Sequence, residues 1–180
     1  NAIAYLRIIF NNNDNPSFER SISNPTRGVG EKTLGKIRNT AKKYNISYIK
    51  ASAKLIDEGS ISGRGGSGLR DYLEFVAGCK NFIEENNLSE LMELIIKESG
   101  LYAYHAKEAG EKGKTRTENL EELITATKNF EQSIKEEKTN IEIAESYLDV
   151  ISLDSGDRQA AEYDDAAQLM TMHSAKGLEF

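Results

Sequence analysis

A tight turn between two helices is predicted by Pro25-Thr26-Arg27-Gly28-Val29-Gly30-Glu31-Lys32-Thr33-Leu34-Gly35-Lys36-Ile37. Gly28 and Gly30 allow the backbone unusual dihedral angles and a close approach, and Val29 between them can fill the gap between the helices. The packed face of the second helix is predicted to comprise Thr33, Gly35 and Ile37. The segment therefore indicates a helical body around one exposed turn.

Helical periodicity continues over most of the 180 residues. Turn-forming residues separate the apolar repeats, which predicts a mainly α fold, a bundle-like arrangement of many helices. The predicted helices cover residues 3–10, 17–23, 31–44, 47–57, 69–85, 89–98, 100–107, 117–133 and 140–151. The one strand-like run is 168–173, near the carboxyl end.

The composition excludes several classes of protein. Hydrophobic residues make up 38% and charged residues 29%, and the chain has one Cys and two His. A single Cys cannot close an internal disulfide, and these residues cannot supply an ordinary four-ligand zinc site, so no metal site is predicted. No apolar run reaches the roughly 18 residues of a membrane helix, and the first residues lack a signal-peptide pattern, so we expect a cytoplasmic protein.

Both ends suggest that the chain was cut from a longer polypeptide. It begins at Asn1 without Met and stops at Phe180 just after an apolar stretch. Any active site is therefore expected to be incomplete.

Charge is unevenly placed along the chain. Residues 26–54 contain eight basic residues and one acidic residue, a net charge of +7, whereas residues 129–165 contain three basic and eleven acidic residues, a net charge of -8. The basic segment could face phosphates and the acidic one should avoid nucleic acid. On charge alone, the favoured interpretation is that both segments are solvated helix faces, since charge runs are common on helices.

The turn resembles the helix-hairpin-helix motif, whose G-h-G turn binds DNA. In that motif the amides that open the second helix point at a phosphate, and nearby cations add affinity without sequence preference. An ordinary helix turn is the alternative. The residues predicted to contact the DNA backbone are Thr26, Arg27, Gly28, Val29, Gly30, Lys32 and Thr33.

Two glycine-containing motifs are weaker. Residues 63–68 fit G-x-G-x-x-G, but the strand that should precede this motif is missing, so a flexible connector is predicted. Residues 113–115 resemble the end of a P-loop, but Glu108 stands where that motif needs Gly. We therefore expect residues 108–117 to form a mobile loop, with Thr117 near a helix N-cap.

His105 and Cys79 are not predicted to be reactive groups. His105 has no evident acid or second His at ligand spacing and is expected to be a surface or half-buried aromatic. Cys79 lies within an apolar helical pattern and is expected in the core rather than as a nucleophile.

The carboxyl end carries the most specific motif, Gln168-Leu169-Met170-Thr171-Met172-His173-Ser174-Ala175-Lys176-Gly177-Leu178-Glu179-Phe180. From its residues alone it predicts a buried strand that delivers Thr171, His173 and Ser174 to a polar edge, followed by a turn and a carboxylate. It is a close match to motif V of the UvrD-like helicases of superfamily 1. Matches to the same family continue in order at residues 2–7, 24–30, 110–116 and 118–123.

In that family a helical subdomain, 2B, interrupts the second RecA-like α/β domain, 2A. The resemblance implies that residues 1–10 and 167–180 are strips of 2A and that residues 11–166 form 2B. It also implies that Thr171, His173 and Ser174 line the path of single-stranded DNA. Gly177 and Glu179 would approach ATP, with Glu179 at the ribose hydroxyl.

The function implied by the resemblance is part of a bacterial ATP-dependent DNA helicase involved in DNA repair or replication. The intact enzyme would use ATP and Mg, whereas this chain contains no complete catalytic site and is expected to bind neither alone. The expected partners are duplex DNA at the turn, single-stranded DNA at motif V, other subdomains of the helicase, and repair proteins. Two alternatives remain: a stand-alone helix-hairpin-helix DNA-binding module, and a protein-interaction module that uses the acidic helices of residues 129–165.

Overall fold

The computed structural model describes residues 1–135 and 137–154, which contain nine α-helices and no strand. The helices are α1 (Ala2–Phe10), α2 (Asn15–Ser23), α3 (Glu31–Tyr44), α4 (Tyr48–Asp57), α5 (Gly63–Glu85), α6 (Leu88–Glu98), α7 (Leu101–Ala106), α8 (Glu111–Ser133) and α9 (Asn140–Asp154). The mainly α prediction is confirmed. Within the described ranges, no helix is both long enough and apolar enough to cross a membrane.

Local sequence explains where several helices begin and end. The Asp14 side chain caps α2 by accepting a hydrogen bond from the Ser17 amide at 3.0 Å, and Asn87 and Glu90 form a capping box at the start of α6. Helix α3 has the predicted bounds because it starts after Gly30 and stops at Asn45, which adopts a left-handed conformation with φ 50°. Short-range signals therefore explain these boundaries, although α2 begins two residues before the predicted start at residue 17 and α6 one residue before the predicted start at residue 89.

Helix α1 lies at the centre of the core. Tyr5, Leu6 and Ile8 are fully buried, and α1 packs against α2, α5 and α6. Residues 1–148 form one compact unit, and a second unit of residues 149–180 is described only over the end of α9. The assignment of residues 1–10 to a separate RecA-like domain stays a prediction about a longer protein, since α1 packs here within the helical unit.

An aromatic cluster joins α1, α2 and α5. The ring centroids of Phe18 and Tyr72 are 5.4 Å apart with the planes at 89°, and Tyr5 lies 6.0 Å from Tyr72. The Tyr5 hydroxyl donates to the Ser21 carbonyl at 2.7 Å, and the Ser21 and Tyr72 hydroxyls are hydrogen-bonded at 2.7 Å. Because the polar ends of both tyrosines find partners, the rings can be buried at little cost.

The prediction of a flexible connector at residues 63–68 was wrong, because these residues form the first turns of α5. The glycines are explained by packing rather than by flexibility. A Cβ on Gly68 would lie 2.0 Å from the Arg27 carbonyl oxygen, and one on Gly66 would lie 2.9 Å from the Ile61 carbonyl oxygen. The missing side chains let α5 approach neighbouring backbone directly, which compensates for the low helix propensity of glycine.

The mobile loop predicted for residues 108–117 was also wrong over most of its length, because α8 begins at Glu111. Gly110 precedes the helix with φ 80°, a left-handed value that suits glycine. A Cβ on Gly113 would lie 2.3 Å from the Glu108 carbonyl oxygen, so the start of α8 packs tightly on the preceding turn. The Gly113-Lys114-Thr115 sequence is thus helical and does not form a phosphate-binding loop.

Several predictions concern residues outside those described. They are the strand at 168–173 and the motif V positions. The helix-turn-helix order at residues 15–44 agrees with the sequence analysis, whereas the identity of this turn with the helix-hairpin-helix motif stays a prediction.

Candidate nucleic-acid interface

The turn between α2 and α3 depends on one glycine for its backbone shape. Gly28 has φ 75°, in the left-handed region, while Gly30 has φ -96° and ψ 178°, an extended conformation open to other residues. The expectation that both glycines supply unusual dihedral angles was correct only for Gly28. Gly30 instead leaves open space, since a Cβ there would meet nothing within 4 Å.

The start of α3 presents unused hydrogen-bond donors. The Thr33 and Leu34 amides donate to the Gly30 carbonyl at 2.9 and 3.0 Å, and Gly30 offers no side chain to cap the helix. The amides of Glu31 and Lys32 form no hydrogen bond within the described ranges. Lys32 is exposed and forms no ion pair with any described residue. This end of α3 can therefore meet an anion with amides and an ammonium group together.

The other predicted contact residues differ in exposure. Thr26, Gly28 and Gly30 are exposed, while Val29 and Thr33 are half-buried. The three exposed residues present their backbone at the surface, whereas the Val29 side chain is only partly exposed.

Arg27 points into the protein. Its guanidinium group donates to the carbonyls of Ser99 at 2.7 Å, Pro25 at 3.0 Å and Ser21 at 3.3 Å. The same group lies 5.5 Å from the ring centroid of Tyr5 and 5.6 Å from that of Tyr72. With its donors committed to these carbonyls, Arg27 holds the turn in place, a role that the sequence analysis did not foresee.

Helix α5 supports the turn from the other side. A Cβ on Gly28 would lie 3.0 Å from Cγ of Arg64, and one on Gly65 would lie 3.0 Å from the Gly28 carbonyl oxygen. A shallow cleft of about 290 Å³ separates the two elements and is lined by Thr26, Arg27, Arg64, Ser67, Gly68 and Asp71. The turn is therefore fixed between the core and the start of α5.

The structure divides the eight cations of the basic segment into two groups. Arg38 bonds Glu19 at 2.6 Å and also pairs with Glu31, Lys54 pairs with Glu58 at 2.6 Å, and Arg27 faces inward. The exposed lysines that form no ion pair within the described ranges are Lys32, Lys36, Lys42, Lys43 and Lys50. The surface available to phosphates is thus made of lysines, on α3 and α4.

His105 has a partner that the sequence analysis missed. Its Nδ1 lies 3.2 Å from Glu108, three residues later on the chain, and Arg116 bonds both Glu108 oxygens at 2.6 and 2.7 Å. Desolvation alone would raise the pKa of Glu108, but the hydrogen bond with His105 and the charge of Arg116 outweigh it and the pKa lies below its ordinary value. The i, i+3 spacing of a His and a Glu was the available signal.

Cys79 is a core residue, as predicted. Its side chain is buried, and burial raises the pKa of the thiol to about 12. Over the part of the chain that the structure covers, no group of three or more His, Cys, Asp or Glu could hold a metal ion.

Comparison with known proteins then places the chain. The family model of the UvrD-like helicase C-terminal domain matches residues 1–180. The chain belongs to this family. DNA helicase II of Escherichia coli K12 is 41% identical to this UvrD-like domain over 179 residues. The ATP-dependent DNA helicases PcrA of Leuconostoc citreum and Bacillus subtilis are 34% and 32% identical, each over 99% of the chain.

The UvrD-like domain described here spans about a quarter of the length of these curated relatives, 24% or 25% in each case. Family membership confirms the resemblance drawn from motif V and from the ordered matches before it. The motif V positions Thr171, His173, Ser174, Gly177 and Glu179 lie outside the described residues. Their roles therefore stay predictions.

Proposed function

We propose that this UvrD-like domain is the part of an ATP-dependent DNA helicase that contacts duplex DNA, and that it does so through the turn of residues 26–33. The observation that carries the proposal is the exposed start of α3, where the amides of Glu31 and Lys32 form no hydrogen bond, and Lys32 forms no ion pair, with a described residue. Family membership supports it, because relatives of this chain carry the name of ATP-dependent DNA helicases.

The proposed contact is with the phosphate backbone. Two unpaired amides at a helix start favour an anion, and the positive end of the helix dipole adds to the ammonium charge. The turn presents mainly backbone amides and one lysine, groups that can meet phosphates, and phosphate contacts carry no direct sequence information. Binding at this turn should therefore be independent of sequence.

Arg27 contributes by fixing the turn rather than by meeting a phosphate. Its three carbonyl bonds tie residues of α2, the turn and the end of α6 together. A contact that is already ordered before binding loses less conformational entropy when it forms. In this proposal Thr26, Gly28, Val29, Gly30, Lys32 and Thr33 form the interface and Arg27 is a positioning residue.

For the longer enzyme we propose the arrangement that the family resemblance implies. Residues 11–166 act as the 2B subdomain, which guides the duplex and regulates unwinding, while residues 1–10 and 167–180 belong to 2A. Thr171, His173 and Ser174 contact single-stranded DNA, and Gly177 and Glu179 contact ATP. ATP with Mg supplies the free energy for movement along the strand, through groups that this chain does not complete.

Salt-titrated fluorescence anisotropy tests the duplex contact. Two labelled duplexes of unrelated sequence should bind the chain with similar, weak affinity. The logarithm of the association constant should fall linearly with the logarithm of salt concentration, with a slope of about -0.9 for each phosphate contacted. A strong preference for one sequence, or an affinity that salt does not change, would overturn the proposal.

A further inference from the structure

A second cationic surface lies along α3 and α4, away from the turn. We call it the α3–α4 seam and define it by Lys36, Lys43, Tyr44 and Lys54. The Lys36 ammonium group crosses to the Ser60 carbonyl at 2.9 Å, just beyond α4. At the other end, the Lys43 and Lys54 ammonium groups lie 5.0 and 4.7 Å from the ring centroid of Tyr44. Lysines from two helices therefore contribute positive charge to the seam.

Tyr44 organises this charge. Its side chain is 48% exposed, one of few large hydrophobic groups at the described surface. Two ammonium groups within 5.0 Å of one ring centroid are at most about 10 Å apart, although like charges repel. The ring thus holds two cations together in solvent, which favours a polyanion over a neutral ligand.

Among the described residues, the one acidic group bonded to a lysine of the seam is Glu58, which pairs with Lys54 at 2.6 Å. Both partners are substantially exposed, with side-chain exposures of 37% and 47%. Water screens exposed pairs of this kind and they contribute little to stability, so a phosphate can replace the carboxylate at Lys54.

The seam lysines of α3 lie on the same side of that helix as Lys32, at its start. Lys32, Lys36 and Lys43 are spaced i, i+4, i+11 along α3, which at 3.6 residues per turn places them within about 40° of one another around the helix. At 1.5 Å per residue they extend over about 16 Å, which corresponds to about five base pairs at 3.4 Å per pair. A duplex that meets the turn can therefore continue along the same face.

We infer that the α3–α4 seam is a second contact for the phosphate backbone of duplex DNA, continuous with the turn. This inference rests on the proposed duplex contact of the turn and adds the surface that extends it. Lys43 and Lys54 meet phosphates at the far end, Lys36 lies between, and Tyr44 keeps the two ammonium groups together.

The double variant Lys43→Ala/Lys54→Ala tests the seam in the 180-residue chain. Anisotropy on a labelled duplex should show that the magnitude of the log-log salt slope falls by about 1.8, since each lost phosphate contact removes about 0.9. The matched control is Lys80→Ala/Lys128→Ala, which removes two exposed lysines from α5 and α8 and leaves the same net charge. Thermal unfolding of both double variants checks that each is folded.

The outcomes separate the seam from the turn. If the slope falls in the seam variant and not in the control, the inference is supported. If both double variants change equally, overall charge explains the effect and the seam is not a contact. Lys32→Ala in the same assay reports on the turn alone: a loss there without a loss in the seam variant overturns only the seam. A loss in the seam variant without one in Lys32→Ala overturns the proposed contact at the turn and leaves a cationic surface that acts without it.

Discussion

Arg27 donates a hydrogen bond from Nη2 to the Ser99 carbonyl at 2.7 Å, which joins residues 72 positions apart in the chain. Ser99 follows α6, whose apolar face lies in the core, and Arg27 sits in the turn that precedes α3. The bond therefore ties the exposed turn to the ordered core. It also explains why the Arg27 guanidinium group, which lies in the proposed contact segment, is directed at backbone carbonyls and is only partly exposed.

Replacement of Arg27 by Ala should destabilise the domain by about 2 kcal/mol, because hydrogen bonds from a charged donor contribute about 1.5 to 3 kcal/mol and three carbonyls lose their partner. Urea unfolding followed by circular dichroism measures the change. Duplex affinity should fall with it, while the salt slope stays at the parent value, since no phosphate contact is removed.

Arg27→Lys is the matched control for this variant. Lysine keeps the charge but has no planar fork to reach three carbonyls, so stability should lie between those of the parent and Arg27→Ala. A reduced salt slope in Arg27→Ala at unchanged stability would show that Arg27 contacts phosphate directly.

Lys32→Ala should leave stability almost unchanged and reduce the salt slope, which is the opposite of the result expected for Arg27→Ala. The side chain is exposed and forms no ion pair within the described ranges, so the free energy of unfolding should change by less than about 0.5 kcal/mol. The magnitude of the salt slope should fall by about 0.9, equally for two unrelated duplexes. Lys112→Ala, an exposed lysine at the start of α8, serves as the control for charge alone, and an equal effect there would remove Lys32 from the interface.

Two glycines of α5 offer a comparison within one helix. Gly68→Ala should destabilise the domain by about 2 kcal/mol, because its Cβ would lie 2.0 Å from the Arg27 carbonyl oxygen and the turn must shift. Gly78→Ala should stabilise it by about 1 kcal/mol, since a Cβ there meets nothing within 4 Å and alanine favours the helix. Urea unfolding of both variants measures the difference, and two changes of the same sign would contradict the packing described for residues 63–68.

Cys79 should be unreactive in the folded domain. Burial raises the pKa of its thiol from an ordinary value near 9 to about 12, so at about pH 8 the thiolate is scarce and the sulfur is shielded. A thiol-reactive aromatic disulfide should label it fully in urea and only slowly without urea. Because the folded pKa is raised, the stability linked to this group is present below about pH 9 and lost as pH rises from there to about 12. Rapid labelling of folded protein would show that Cys79 is accessible.

Local signals predicted much of the helical fold. Apolar spacing and turn residues located the helices, and the bounds of α3 follow from Gly30 on one side and Asn45 on the other. The same local rules failed at residues 63–68 and 108–117, where glycines and polar residues suggested loops. Gly68 packs against the backbone of Arg27, and Gly113 packs against the backbone of Glu108. Neither close approach can be read from the spacing of residues in the sequence.

The candidate site was predictable in position but not in the roles of its residues. The G-h-G pattern and the basic segment indicated the turn and Lys32. The inward direction of Arg27 depends on Ser99, Tyr5 and Tyr72, which are distant in sequence and become neighbours only in the folded domain. For the same reason, the contact between Lys54 of α4 and Tyr44 of α3 could not be predicted from the sequence, because it depends on how the two helices pack.

The direct backbone contact between α5 and the turn also has a mechanical consequence. Helix α5 is 23 residues long, about 34 Å at 1.5 Å per residue, and its first turns abut the turn without an intervening layer of side chains at Gly65 and Gly68. Side chains can yield by rotating, whereas peptide groups in contact are stiff. A force on the turn is therefore transmitted along α5 toward α6, and the turn moves together with the rest of the domain.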